Sequence, residues 1–79
     1  MEKDQAYLES LLKGLVTKPN EVKITRTVDS MGVLLEVTVG KEDVGTVIGK
    51  QGQNAKAIRQ LMYIVGLKNK ARINVKINA

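Results

Sequence analysis

Val47-Ile48-Gly49-Lys50-Gln51-Gly52 is the stretch on which the fold of this chain turns. Before it lies a short apolar segment, Val44 to Ile48. After it, from Gln53 onward, Ala55, Ile58, Leu61, Met62 and Val65 recur at helical spacing. Two glycines therefore separate two helices. Glycine tolerates positive φ and carries no Cβ, so the backbone can turn sharply there and an anion can approach it closely. The second helix points its first N–H groups and the positive end of its dipole at the turn. Lys50 adds a mobile positive charge, and Gln51 adds a side chain suited to a phosphate or a sugar. Together these parts make a seat for a nucleic-acid backbone, although two glycines at this spacing also serve as an ordinary helix stop and helix start.

Upstream, Glu42 and Asp43 are expected to cap the short helix. Adjacent carboxylates with no nucleophile or metal site beside them are poor evidence for chemistry. Val33, Leu35, Val37 and Val39 alternate with Leu34, Glu36 and Thr38 in a strand that Gly40 ends. Across the turn Asp29-Ser30-Met31-Gly32, Val22, Ile24 and Val28 alternate with Lys23, Thr25 and Thr27, giving an antiparallel hairpin. Arg26 interrupts the apolar side and reads as an edge position whose stem packs while its head reaches water. Tyr7, Leu8, Leu11, Leu12 and Leu15 predict a leading helix over about residues 4 to 16, with Tyr7 in the core. Asp4 is its expected cap, Glu2 and Asp4 suit its dipole, and Pro19-Asn20 forms the turn after it. Downstream, Gly66 is the expected helix stop. Lys68-Asn69-Lys70 is a basic loop, and Ala71, Ile73, Val75 and Ile77 alternate with Arg72, Asn74 and Lys76 in a last strand. One sheet with a buried face needs helices laid across it. The expected fold is α+β and two-layered, in the order helix–strand–strand–helix–helix–strand. Its three-stranded mixed sheet, covered by three helices, forms one domain over residues 1–79.

Composition narrows the function. The chain has no Cys and no His, which removes disulfides, thiolate nucleophiles, the commonest metal ligand and the commonest general base. No catalytic residue, metal or cofactor is expected. Lys50 does not follow the second glycine and no Ser or Thr comes after it, so the loop is not a nucleotide-binding P-loop. Residues 1–40 hold five basic and six acidic side chains, and residues 41–79 hold eight basic and two acidic ones. A positive balance confined to one half suits a polyanion, nucleic acid ahead of an anionic membrane surface. No apolar run is long enough to span a bilayer, and the polar start Met1-Glu2-Lys3-Asp4 lacks the apolar stretch of a signal peptide, which places the expected protein in the cytoplasm.

The V-I-G-K-x-G motif inside a strand–helix–helix–strand unit resembles the KH domain, whose G-x-x-G loop clamps backbone nucleotides. The extra helix and strand precede the core, as in the type II, prokaryotic arrangement. The resemblance covers the whole chain. It is strongest to the small single-domain bacterial KH proteins of the KhpA family, through Pro19, Val47–Gly52 and Ala55–Arg59. It implies a protein that holds single-stranded RNA, an RNA chaperone or post-transcriptional regulator. Gly49, Lys50, Gln51 and Gly52 would hold the backbone, Val44, Val47 and Ile48 would line an aliphatic groove, and Lys68, Lys70 and Arg72 would form an opposite basic rim. For Val47 and Ile48, core packing explains most of the role. Lys56 and Arg59 read as long-range attraction rather than contact. The resemblance also implies self-association into a homodimer, partnership with a larger KH protein of the KhpB or Jag kind, and links to cell shape and cell-wall biogenesis.

Tyr7 and Tyr63 are the only aromatics, and Tyr63 alone lies outside the buried stripe. Bases would meet mainly aliphatic side chains, so modest affinity, strong salt dependence and weak sequence preference are expected. Two rival readings remain. In one, Gln53 to Val65 is the recognition helix of a helix-turn-helix DNA binder, although Val44 to Ile48 allows only about one and a half turns for its companion. In the other, the chain is a protein–protein interaction module with RNA secondary.

Overall fold

The computed structural model describes residues 2–78; Met1, which opens the polar N-terminal stretch, and Ala79 lie outside the described residues. Helix α1 spans Lys3–Lys13, strands β1 and β2 span Lys23–Asp29 and Gly32–Thr38, helices α2 and α3 span Val44–Ile48 and Gln53–Lys68, and β3 spans Ile73–Ile77. Single 3₁₀ turns at Pro19–Glu21, Lys41–Asp43 and Lys50–Gly52 join them. The element order is the expected one.

The sheet runs β1-β2-β3. β1 pairs antiparallel with β2 from Lys23↔Thr38 to Asp29↔Gly32, and β2 pairs parallel with β3 from Val33↔Ile73 to Val37↔Ile77. A parallel partner needs a crossover, and α2 and α3 supply it. Strand alternation sends Val33, Leu35, Val37, Ile73 and Val75 into the core, while Leu34, Thr38, Asn74 and Lys76 face the other way and stay exposed. Leu8 and Leu12 of α1, Val47 of α2, and Ala55, Ile58 and Met62 of α3 cover the inner face. The result is the two-layer α+β arrangement of a type II KH fold, with helices on one side of the sheet.

Several local expectations need correction. α1 stops at Lys13 rather than near residue 16: Gly14 is its C-cap, and the N–H groups of Leu15 and Val16 turn back to the Leu12 carbonyl. Only Leu8 and Leu12 are deeply buried among the apolar residues of that helix, so Tyr7, at 48% exposure, is not core. α1 packs over a sheet edge, where one narrow strip of a helix finds cover. Asp4 does not cap the helix. It is buried, takes its own neighbour's Gln5 N–H, and pairs with Arg26, whose Nε lies 3.0 Å from Asp4 Oδ1. The Arg26 head therefore turns back to a carboxylate instead of reaching water, which explains a cation on the inner side of β1. Val28 is exposed beside the hairpin turn that ends this edge strand.

Gly66 does not stop α3. The helix runs to Lys68, and Gly66 is buried because the Ala71 carbonyl lies 2.5 Å from where a Cβ would stand. The stop comes at Lys70, in left-handed conformation with φ 55°. Its N–H bonds the Leu67 carbonyl at 3.2 Å, and the Ala71 N–H bonds the Gly66 carbonyl at 2.8 Å. This pair of bonds is a Schellman motif with lysine at the position glycine usually takes.

Candidate nucleic-acid interface

The loop between α2 and α3 is built on two different glycines. Gly49 has φ 78° and ψ 172°, a region open in practice only to glycine. A Cβ there would also lie 2.7 Å from Asn54 Cγ and 2.8 Å from the Asn54 amide nitrogen. Gly52 is left-handed at φ 74°, with open space around it. Between them Gln51, at φ 57°, is left-handed as well. The Gly49 N–H closes α2 on the Gly45 carbonyl, and the Gly52 N–H reaches back to the Gly49 carbonyl at 3.1 Å. The loop is thus a tight reversal that holds Lys50 and Gln51 outward, both exposed. Asn54 secures it: its Nδ2 donates to the Thr46 carbonyl at 2.7 Å, tying the first turn of α3 to α2. Sequence reasoning missed Asn54, and an amide just after the second glycine was the only available cue.

Gly52 is the N-cap of the sixteen-residue α3 and brings no side chain to cap it. The positive end of that helix therefore meets the loop directly. Val47 is fully buried and braces the loop from below, while Val44 and Ile48 are half-buried beside it. Lys68, Lys70 and Arg72 are exposed, but they sit at the far end of α3, about 24 Å from the loop at 1.5 Å per residue. The structure brings the loop and Val44–Ile48 together, and it does not bring the three basic residues to them.

Charge is divided more sharply than totals suggest. From Val44 to Ala79 there is no acid. Glu42 and Asp43, the two acids of the second half, both turn toward the segment after α1, and Asp43 makes no capping bond to α2. The Asp43 carboxylate accepts the Thr17 N–H and hydroxyl at 2.9 Å and the Lys18 N–H at 3.1 Å. Those bonds, the Thr17 N–H first, hold its carboxyl below the usual aspartate range. Lys18 pairs with Glu42, which lowers the glutamate and raises the lysine. The ion pairs among the described residues are Lys13–Glu9, Lys18–Glu42 and Arg26–Asp4. Each uses a cation from residues 1–40, so Lys50, Lys56, Arg59, Lys68, Lys70, Arg72 and Lys76 carry unneutralised charge. Within the fold, Arg59 Nε donates to the Val75 carbonyl of β3 at 3.2 Å. No group of three potential metal-ligating side chains clusters among the described residues, and no helix among them is long and apolar enough to cross a membrane.

Comparison with known proteins agrees with this geometry. Residues 5–77 match the family model described as KhpA/KhpB, KH domain. The chain is 47% identical to the RNA-binding protein KhpA of Listeria monocytogenes over 68 residues, covering 86% of this chain and 90% of that protein. It is 41% identical to the RNA-binding protein KhpA of Clostridium acetobutylicum over 70 residues, covering 89% and 93%. To the protein of the same name from Chlamydia pneumoniae it is 37% identical over 71 residues, covering 90% and 91%. A match over nearly the whole chain, on a fold that carries the G-x-x-G reversal between α2 and α3, shows that the chain belongs to the KhpA/KhpB family of KH domains.

Proposed function

We propose that this chain binds single-stranded RNA, with Gly49, Lys50, Gln51 and Gly52 seating the sugar–phosphate backbone. The observation that carries the reading is the glycine-built reversal opening onto the uncapped N-terminus of α3, in a half of the chain without free acids. Val44 and Ile48 offer the apolar surface nearest the loop. Lys68, Lys70 and Arg72 act on RNA that extends along α3, not as a wall facing the loop. The relatives' description as RNA-binding proteins supports the same role, and family membership places the chain among binding modules rather than enzymes. In the cytoplasm it would act as an RNA chaperone or post-transcriptional regulator beside a larger KhpB-type partner.

The test is the double substitution Lys50→Asp and Gln51→Asp. Both side chains are exposed, and aspartate tolerates the left-handed conformation at position 51. Binding to an unstructured RNA oligonucleotide is expected to fall by at least about tenfold, because two anions replace a cation and a neutral donor at the phosphate seat. Unchanged binding by a variant with native circular dichroism would refute the proposal. A helix-turn-helix reading is disfavoured because α2 has five residues. A second reading, a homodimer or partner-binding module, draws on the exposure of Ile64 and Leu67, each 60%. Sedimentation with and without RNA separates the two.

A further inference from the structure

We propose that the trough along the outer side of α3, lined by Lys56, Arg59, Gln60, Tyr63 and Ile64, is a nucleobase subsite in which a base of the bound strand stacks on Tyr63. The proposal rests on the RNA reading above and extends it beyond the loop. Lys56, Gln60 and Ile64 follow one another at four-residue spacing, and Arg59 and Tyr63 form the adjacent row, so the five side chains share one helix face. Tyr63 is 59% exposed, and Ile64 beside it 60%. An aromatic ring left in solvent, next to an aliphatic side chain, is a flat apolar platform.

Arg59 defines the side of the trough next to the sheet. The Arg72 carbonyl and the Asn78 N–H bond to β2, so by strand alternation the groups of Ile73, Val75 and Ile77 point to the free edge of β3. Arg59 Nε holds the Val75 carbonyl on that edge. This fixes the guanidinium beside the trough, and its Nη groups make no hydrogen bond among the described residues. A base lying on Tyr63 would have those donors at its rim.

Charge selects the occupant. Lys56 and Arg59 have no ion-pair partner among the described residues, and no acid follows Asp43 in the chain. A nucleotide, with a flat apolar face and an anionic backbone, complements a cation-rimmed aromatic floor. A second copy meeting this face about a two-fold axis would set Lys56 and Arg59 against the same cations. Tyr63 lies eleven residues beyond Gly52, about 16 Å along the helix, so a strand seated at the loop passes Lys56 on the way.

The experiment uses the full chain carrying Tyr7→Phe, which leaves Tyr63 as the only tyrosine. Titration with a fluorescently labelled, unstructured twelve-nucleotide RNA is followed by anisotropy and, with unlabelled RNA, by tyrosine emission. Quenching of Tyr63 with the same midpoint as the anisotropy change is expected. Tyr63→Ala is expected to weaken binding about five- to tenfold, the lower part of the range for loss of base stacking, and Tyr63→Phe to restore it. If Tyr63→Ala binds as tightly as its parent while Lys50→Asp/Gln51→Asp abolishes binding, the subsite is wrong and the RNA reading stands. If neither changes binding, both fall. Emission that changes with protein concentration alone, together with a dimer in sedimentation, would assign the face to a second copy and overturn the proposal.

Discussion

Replacing glycine by alanine at positions 45, 49 and 52 tests whether the reversal between α2 and α3 is built as described. The three sites differ by one physical factor at a time. Gly45 is helical, with nothing within 4 Å of an added Cβ, so alanine there should stabilise by about 0.5–1 kcal/mol through reduced backbone entropy. Gly52 also has open space but a φ of 74°, so alanine meets the left-handed cost of about 1–2 kcal/mol, partly offset by the same entropy gain. Gly49 carries both penalties. Its φ 78° and ψ 172° cost a non-glycine residue about 1–3 kcal/mol. The 2.7–2.9 Å overlap with Asn54 cannot be relieved by a rotamer change, because the Asn54 backbone nitrogen is among the atoms struck, and overpacking of this kind adds about 1–3 kcal/mol. Gly49→Ala should therefore cost about 3 kcal/mol or more, a large share of the roughly 4–12 kcal/mol that a domain of this size holds.

Urea unfolding followed by circular dichroism reads the series directly. With a slope near 1 kcal/mol per molar urea for so small a domain, Gly49→Ala should lower the midpoint by about 3 M, Gly52→Ala by about 1 M, and Gly45→Ala should raise it slightly. The order matters more than the values. If Gly49→Ala falls no further than Gly52→Ala at an unchanged slope, the contact with Asn54 does not constrain the loop and the account of its geometry is wrong.

Lys70→Gly should stabilise the chain by about 1 kcal/mol, since glycine removes the left-handed cost at the Schellman position; a lower urea midpoint would show that Lys70 makes a contact worth more than its strain. Asp43 has its pKa depressed in the folded state, so its contribution is present above about pH 3.9, the unfolded value, and is lost as pH falls through the folded one. Asp43→Asn should lower stability at pH 7 and flatten the decline below pH 4 in thermal melts, and an equally steep acid limb in the variant would count against the Thr17–Asp43 anchor. Asp4→Ala leaves the Arg26 guanidinium half-buried without its partner and should cost about 1–3 kcal/mol, whereas Asp4→Ala with Arg26→Met should recover part of that in a double-mutant cycle. With about three phosphate contacts on a single strand, log K should fall with log salt at a slope near −2, so an affinity insensitive to salt would remove Lys50, Lys56 and Arg59 from the interface.

The features readable from sequence are the ones fixed by neighbours along the chain. The two glycines, the short α2 before them and the antiparallel hairpin follow from local conformational limits and from period-two alternation, and the structure reproduces them. The readings that needed correction depended on partners far away in sequence. Arg26 and Asp4 are 22 residues apart, and Thr17 and Asp43 are 26 apart; a carboxylate at the start of a helix looks like a cap whether or not a distant donor claims it. Tyr7 carries the same helical spacing as Leu8 and Leu12, but the width of the buried strip is set by how α1 lies on the sheet edge. Gly66 was ambiguous for another reason. A glycine near a helix end permits either a left-handed stop or a close backbone approach, and only the position of Ala71 decides between them. The basic rim of Lys68, Lys70 and Arg72 stands apart: it is what the resemblance implies, and the helix read over Gln53 to Val65 already lies between those residues and the loop.

Those distant pairings also account for the character of the site. The acids at positions 4, 9 and 42 are matched to cations that stabilise the packing of α1, β1 and the turn after α1, and Asp43 is matched to backbone N–H groups of that same turn. Counter-charges are thereby concentrated where the fold is tied together. The α3 side receives none, so its cations keep their full field at the surface, on the helix whose positive end meets the loop. A polyanion approaching this surface displaces counterions and water from Lys50, Lys56 and Arg59 without breaking any ion pair of the fold. Apart from Arg59, which also bonds the Val75 carbonyl, the cations of this surface and the ion pairs of the fold are separate sets of charges. For this reason Lys50 and Lys56 can be substituted one by one without breaking an ion pair or hydrogen bond among the described residues, whereas replacing Arg59 also removes its bond to the Val75 carbonyl.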